Sequence, residues 1–179
     1  MKLKLFAKEI LSDWKDLLAQ NRKVVALAGA VSPIIGEAGE SFVLRKLKKK
    51  FPDYEFIKTE ASKSPADIIG LMRNKSYLHF ALFQVKASKD VSTLTKDIPE
   101  KDTLPILAEI IKSRFITSDA TKYYKKRALF ITMGYVGVHI SNKSQIVQSL
   151  PYPKTFSLNK LELMSSEKTL LKNIHRNIK

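Results

Sequence analysis

The sequence predicts an α/β protein in which a mixed central β-sheet is flanked by helices. Segments with apolar residues at helical spacing alternate along the chain with short apolar or alternating runs that are typical of strands. A chain of 179 residues with 44% hydrophobic content can also bury one substantial core. We therefore expect a single domain over 1–179, with a core at about 32–140 and helices over 5–18 and 166–178 as additions.

Helices are predicted from apolar spacing and from their end signals. Phe6, Ile10 and Trp14 recur at helical spacing and indicate the N-terminal helix. Ser32 followed by Pro33 is a typical N-cap and first helical residue, so a second helix should begin there and run to about 50.

A third helix should follow Thr103, and its apolar face is shared by four residues: Leu107, Ile110, Ile111 and Phe115. Strands are predicted over 54–59, 66–73, 77–87, 128–133 and 135–140. Because the middle runs are almost continuously apolar, we expect them to be central strands buried on both faces.

The charge of the chain indicates a phosphate-rich partner. Thirty-two Lys plus Arg against seventeen Asp plus Glu give a formal charge of +15 and a sequence pI near 9.9, which favours binding to nucleic acid. Anionic lipid is the main alternative, but no apolar run approaches the ~20 residues of a membrane span. Acids at Glu9, Asp13 and Asp16 follow the first residues with no cleavable small-residue site, so the N-terminus does not have the pattern of a secretory signal. Together with the absence of cysteine, this leads us to expect an intracellular, cytoplasmic protein without a membrane association.

Polar residues at two strand ends indicate a catalytic site. Asp67 opens one apolar strand, and Gln84 and Lys86 close the next. Side chains alternate along a strand, so Gln84 and Lys86 should share one face while Val85 points to the other. A tight connection between the two strands would bring Asp67 beside this pair. A carboxylate, an amide oxygen and an ammonium are suited to holding a divalent metal and orienting water toward a phosphodiester.

The order of elements together with these residues carries a family resemblance. A helix with a glutamate, three strands bearing the Asp and the polar-x-Lys pair, then a helix and a strand, resembles the αβββαβ core of the PD-(D/E)xK, or restriction-endonuclease-like, nuclease superfamily. The segment from Gly36 to Glu40 looks like the Gly-x-x-x-Glu helix start of archaeal and viral Holliday-junction resolvases. The resemblance covers about 32–133 and implies a Mg²⁺- or Mn²⁺-dependent DNA endonuclease that acts as a homodimer. The likeness to Holliday-junction resolvases implies specificity for branched DNA as a finer feature.

The resemblance also implies roles for individual residues. Glu40, Asp67, the Gln84 amide and the Val85 carbonyl would bind the metal, and Lys86 would position the attacking water. Gln84 replaces the acid that is usual in the family, which removes a negative charge from the metal site. Some active restriction-type members are similar in carrying Gln-x-Lys there.

Two helix glutamates compete for the metal role. Val43, Leu44 and Leu47 follow Glu40 at three, four and seven residues, which places Glu40 beside the apolar stripe. Glu37 should be more solvated. Either glutamate can also be an ordinary charge in the first turns of a helix.

Structural alternatives exist for the other candidates. Asp67 can serve as a turn residue at the strand entry, and Lys86 as a strand-end lysine that reaches water. Lys63, Ser64, Lys89 and Arg45 are the predicted nucleic-acid contacts. Ser64 can equally be a turn residue, and basic clusters are often only solvated surface.

Two further functions remain open at this point. One is a restriction-type or repair nuclease of the same fold. The other is a nucleic-acid-binding protein in which Gln84 marks an inactive catalytic site, which metal-independent binding without cleavage would reveal.

Overall fold

The computed structural model describes residues 3–20, 33–59, 64–73, 77–94, 104–117, 128–151 and 156–157. Three helices lie in these ranges: α1 (Leu3–Gln20), α2 (Pro33–Lys50) and α3 (Leu104–Thr117). The strands are β1 (Tyr54–Lys58), β2 (Ile68–Arg73), β3 (Tyr77–Ser88), β4 (Ala128–His139), β5 (Gln145–Pro151) and β6 (Phe156–Ser157). A single 3₁₀ turn, Val91–Thr93, follows β3.

The strands form one mixed sheet in the order β1-β2-β3-β4-β5. Strands β1, β2 and β3 make an antiparallel meander, whereas β4 runs parallel to β3 after the crossover through α3. Strand β5 is antiparallel to β4, and the two-residue β6 pairs with an earlier part of β4. The long parallel pair of β3 and β4 is therefore the centre of the sheet.

Two apolar layers cover the sheet, one on each face. The first joins α1 and α3 to the sheet residues Ile69, Leu71, Leu78, Phe80, Leu82, Leu129, Ile131 and Met133. The second joins α2 to Tyr54, Phe56, Ile68, Ala81, Phe83, Ala87, Val136 and Val138. The protein is thus a three-layer α/β structure in which α2 alone covers the second face among the described residues.

Charged side chains tie α1 to α3 at the protein surface. Arg114 of α3 hydrogen-bonds both carboxylate oxygens of Asp13 and lies 3.1 Å from Glu9. The hydrogen bond from Arg114 outweighs the effect of burial and lowers the pKa of Asp13. This ion pair fixes the orientation of the two helices on the first face.

A buried polar chain links β1, β3 and β4 below α2. The Tyr54 hydroxyl and Nδ1 of His79 are 2.5 Å apart, and Nε2 of His79 is 2.8 Å from the Thr132 hydroxyl. Burial lowers the pKa of His79 to about 3, so this imidazole is neutral at physiological pH. Both ring nitrogens have a hydrogen-bond partner, which assigns His79 to the core.

The predicted α/β class and mixed sheet are confirmed, with five strands on the main path and three described helices. One prediction about strands was wrong, and β5 and the two-residue β6 were missed. The runs over 128–133 and 135–140 form one strand, β4, that continues through Gly134, because Gly134 is paired on both sides with Phe83 and Pro151. The predicted helix over 166–178 lies outside the described residues, as does the proposed cap at Ser32.

None of the described helices has the length and apolar character required to cross a membrane.

Candidate functional site

Asp67 lies where β2 separates from β3. Its main-chain N–H donates to the Phe83 carbonyl at 2.8 Å, and its Oδ2 atom accepts a hydrogen bond from the Val85 N–H at 2.6 Å. Gln84 therefore lies between the two β3 residues that Asp67 contacts. Among the described residues, the hydrogen-bond partner of this carboxyl is the Val85 amide and not Lys86. Oδ1 has no hydrogen-bond partner among the described residues.

The environment of Asp67 favours its protonated form. Burial raises the pKa of Asp67 to about 7, the Val85 hydrogen bond acts against this, and the nearby charge of Glu40 raises it further. The charge of Lys58 lowers the pKa and so opposes Glu40. A carboxyl that is close to half-ionised at neutral pH, at the end of two strands, is typical of functional sites.

Lys58, at the end of β1, connects the glutamates of α2. Its Nζ atom lies 3.1 Å from Glu40 Oε2 and 3.3 Å from Glu37 Oε1. Burial lowers the pKa of Lys58, but the hydrogen bonds to Glu40 and Glu37 outweigh burial, so the net pKa is raised. The ammonium of Lys58 is consequently a permanent cation at neutral pH.

Glu40 and Glu37 differ in exposure as their spacing predicted. The Glu40 side chain is 22% exposed, whereas that of Glu37 is 74% exposed. Glu40 is also close enough to Asp67 for its charge to act on the Asp67 pKa. Of the two glutamates, Glu40 therefore belongs to the site.

Gly39 allows α2 to approach β3 closely. A Cβ atom at Gly39 would lie 2.4 Å from the Cβ of Ala87 and 3.8 Å from Val85 Cγ1. Only a residue without a side chain fits at this contact. The next residue in the helix is Glu40, so the contact between Gly39 and Ala87 determines how near the Glu40 carboxylate comes to the end of β3.

The side chains of β3 alternate as predicted. Phe83, Val85 and Ala87 pack in the layer beneath α2, so Gln84 and Lys86 project from the opposite face of the strand. Both are partly buried. Neither side chain forms a hydrogen bond or ion pair with another residue in the described part of the chain. The structure thus brings Asp67 near Glu40 and Lys58 and bonds it to Phe83 and Val85 of β3. It places the Gln84 and Lys86 side chains on the face of β3 opposite α2, away from Glu40.

The predicted nucleic-acid contacts are placed as follows. Arg45 is exposed on α2, and Lys89 is exposed after β3. The Ser64 hydroxyl donates to the Ala66 carbonyl at 2.6 Å, which is the turn chemistry considered as the alternative for this residue. Lys63 lies outside the described residues.

The candidate ligand atoms of the site are all oxygens, which is the type of ligand atom that a hard divalent cation prefers. Asp67 and Glu40 offer carboxylates, and Gln84 and Val85 offer neutral oxygens, which are ligands that Mg²⁺ accepts together with water. Within the described ranges, no group of three or more His, Cys, Asp or Glu residues is arranged to hold a metal ion. Any metal bound here would therefore rely on two carboxylates and on neutral oxygens.

Sequence analysis did not single out Lys58, which the structure places beside Glu40. Its signal was present in the sequence, because Tyr54, Phe56 and Lys58 share one face of an alternating strand. Tyr54 and Phe56 are buried beneath α2, which directs Lys58 to the same layer.

Comparison with protein-family models, with curated proteins and with solved structures found no match for the chain.

Proposed function

We propose that the protein is a metal-dependent DNA endonuclease that hydrolyses phosphodiester bonds. One observation carries the proposal most directly. The carboxyl of Asp67 lies against β3 at Val85 and close to Glu40, beside a fixed ammonium and at the end of the central strands.

The order and direction of the elements support this proposal. Helix α2 precedes the antiparallel meander β1-β2-β3, and α3 then leads to β4, which is parallel to β3. This arrangement is similar to the αβββαβ core of the PD-(D/E)xK nucleases. The likeness extends to the positions of the helix glutamate, of Asp67 and of the Gln84-x-Lys86 pair.

Each site residue has a role in the proposed reaction. Asp67, Glu40, the Gln84 amide and the Val85 carbonyl would hold Mg²⁺ or Mn²⁺. The bound cation would polarise the phosphate and lower the pKa of a coordinated water. Lys86 would hold the attacking water in position, as in the family that the sequence resembles.

The proton equilibrium of Asp67 makes metal binding depend on pH. A carboxyl must be ionised to bind Mg²⁺, and Asp67 has its pKa raised to about 7 by burial and by Glu40. We therefore expect metal affinity to increase as the pH rises through 7.

DNA is the substrate that the charge supports best. The formal charge of +15 favours a polyanion. Four exposed cations at the end of α2 form what we call the α2 basic cluster: Arg45, Lys48, Lys49 and Lys50. Specificity for Holliday junctions or other branched DNA, and a homodimer with one site per strand, are the finer features that the resemblance implies.

A DNA-binding protein without catalysis is the second candidate. Two observations favour it. Gln84 brings no charge to the site, and Lys58 already neutralises Glu40 at 3.1 Å. A site of this kind would bind metal weakly while the basic surface still binds DNA.

A cleavage assay separates the two candidates. The full chain would be incubated with linear duplex, single-stranded, flap and four-way-junction DNA in Mg²⁺, Mn²⁺ or EDTA. We expect nicked or cut products with metal only, and complete loss of cleavage in Asp67→Ala and in Lys86→Ala with retained DNA binding.

Asp53→Asn is the matched control, since Asp53 is an exposed carboxylate in the turn before β1. This variant should cleave as the wild type does. An equal reduction of cleavage in Asp53→Asn and Asp67→Ala would argue against a specific site at Asp67. Metal-independent binding without products on any substrate would favour the second candidate, and a single cut sequence in duplex DNA would indicate a restriction-type enzyme.

A further inference from the structure

We propose that Lys58 is a further catalytic residue, whose ammonium contacts the scissile phosphate or the attacking water on the α2 face of the site. The inference rests on the nuclease function proposed above. It assigns to the reaction a residue that lies outside the Asp…Gln-x-Lys pattern.

The position of Lys58 follows from two constraints on the end of β1. Strand alternation directs its side chain toward α2, where Nζ meets Glu40 Oε2 at 3.1 Å. The next residue, Thr59, anchors the strand to Asp67, because the Thr59 N–H donates to the Asp67 carbonyl at 2.9 Å. The Thr59 hydroxyl adds a 2.6 Å hydrogen bond to the Ala66 carbonyl. Lys58 is therefore held beside Asp67 by main-chain contacts and beside Glu40 by its side chain.

Within the described residues, one N–H donor of the Lys58 ammonium is left for a substrate. An ammonium group carries three N–H donors, and among the described residues two carboxylates, those of Glu40 and Glu37, accept from it. The side chain is 26% exposed, so the remaining donor can reach a ligand from solvent. A phosphate oxygen or a water bound to it matches a compact cationic donor.

The charge at Lys58 complements the charge that develops during hydrolysis. The water oxygen bonds to phosphorus, one P–O ester bond breaks, and its electron pair stays on the departing oxygen. The proton released by the water reaches that oxygen through solvent. Negative charge grows on the phosphate oxygens in between, and a fixed cation at the site lowers the energy of this state.

Lys58 and Lys86 approach from different sides of β3. Lys86 projects from the face opposite Phe83, Val85 and Ala87, whereas Lys58 lies in the layer beneath α2 with those residues. Two cations would then flank the phosphate at the end of the strand. This placement gives the ion-paired Lys58, which is not part of the Asp…Gln-x-Lys pattern, a role on the α2 side of the site.

The test measures single-turnover cleavage and DNA affinity for Lys58→Met and Lys58→Arg, with Lys112→Met as the matched control. Lys112 is also paired with a glutamate, Glu109 at 3.6 Å, but it lies on α3 in the other layer. We expect Lys58→Met to lower the cleavage rate about 10²- to 10³-fold, the usual effect of removing one donor to a developing charge. Its affinity for DNA in Ca²⁺ should change far less, Lys58→Arg should restore part of the rate, and Lys112→Met should cleave normally.

A purely structural role for Lys58 predicts a different pattern. If Lys58 only balanced the glutamates, the double variant Lys58→Met/Glu37→Gln would recover the wild-type rate, and this result would overturn the inference. Wild-type cleavage by Lys58→Met would also overturn it while leaving the nuclease function intact. Absence of cleavage by the wild type itself would remove both proposals.

Discussion

The carboxyl group of Asp67 is the least favourably solvated ionisable group of the candidate site. Its folded-state pKa of about 7 exceeds the ordinary value of 3.8, with burial as the main cause. A carboxyl with a raised pKa stabilises the folded state only while it is protonated, and this contribution is lost as the pH rises through the folded pKa. Ionised Asp67 therefore lowers the stability of the folded state at the pH at which the site would bind metal.

We expect Asp67→Asn to become progressively more stabilising, relative to the wild type, as the pH is raised from 4 to 8. Asparagine has the same shape, can still accept the Val85 N–H, and does not ionise. The difference in free energy of unfolding should grow with pH by at most about 1.4 kcal/mol per unit between the two pKa values. Urea denaturation at several pH values measures it.

Asp53→Asn provides the matched control for this measurement, because it removes an exposed carboxylate. An Asp67→Asn difference that stays constant over the pH range would contradict the raised pKa. Addition of Mg²⁺ should stabilise the wild type and not Asp67→Asn if Asp67 is a metal ligand.

Single residues of the site were predictable to different degrees. The spacing of Glu40 beside the apolar stripe correctly predicted that it is more buried than Glu37. The apolar residues after Asp67 correctly predicted burial at the strand entry. Lys58 was not singled out because the Gln-x-Lys pattern indicates only β3, and because an ion pair between β1 and α2 depends on the crossing of two elements that sequence spacing does not fix.

At the scale of elements, the close contact between α2 and β3 positions the site. Gly39 faces Ala87 with no room for a Cβ atom, and the neighbouring Glu40 is thereby brought toward Asp67. The packing of α2 against β3 at this contact therefore determines the distance between the Glu40 and Asp67 carboxyl groups.

We expect Gly39→Ala to destabilise the fold by about 1–3 kcal/mol, the usual cost of overpacking, and to lower cleavage by displacing Glu40. The double variant Gly39→Ala/Ala87→Gly exchanges the two sides of the contact and should recover both properties in part. Thermal unfolding and cleavage rates measure the two effects.

Gly36→Ala controls for the helix propensity that alanine adds, since Gly36 is a partly exposed position of the same helix. Full stability and full activity of Gly39→Ala would contradict the role of this contact.

The elements show which patterns in a sequence are informative. Helix α1 and the meander β1-β2-β3 were predicted within about two residues, because their apolar periodicity is strong. Gly134 was interpreted as a break, yet β4 continues through it because partner strands on both sides supply the pairing. Strand β5 escaped prediction since it ends in Pro151, and proline is tolerated there because β5 lies at the edge of the main strand path.

At the scale of the whole molecule, the proposed binding to DNA depends on the excess of cations, a formal charge of +15. The α2 basic cluster extends from the helix that carries Glu40, so it is placed on the α2 side of the sheet. Phosphate contacts of this kind position a nucleic acid without reading its sequence.

We expect DNA affinity to fall steeply with salt, with a log–log slope of about 0.9 for each phosphate neutralised. Replacing Lys48, Lys49 and Lys50 with glutamine should reduce the slope by about one for each phosphate that these lysines neutralise. Fluorescence anisotropy with labelled duplex and junction DNA measures both.

Glutamine at Lys4, Lys8 and Lys15 is the matched control, because these lysines are exposed on α1, which packs on the other face. Equal effects of the two triple variants would indicate attraction by net charge alone. Affinity that hardly changes with salt would contradict the electrostatic part of the proposal.

The central claim is that Asp67 and its neighbours form a metal-dependent nuclease site, and a Mg²⁺ titration of DNA cleavage by the wild type and by Gln84→Glu tests it most directly. A glutamate at this position adds negative charge among the proposed ligands, which strengthens binding of a hard cation. We predict cleavage by the wild type that requires metal, and half-maximal cleavage at a lower Mg²⁺ concentration in Gln84→Glu. Absence of metal-dependent cleavage of every DNA and RNA substrate by both proteins would contradict the nuclease proposal and favour the DNA-binding alternative.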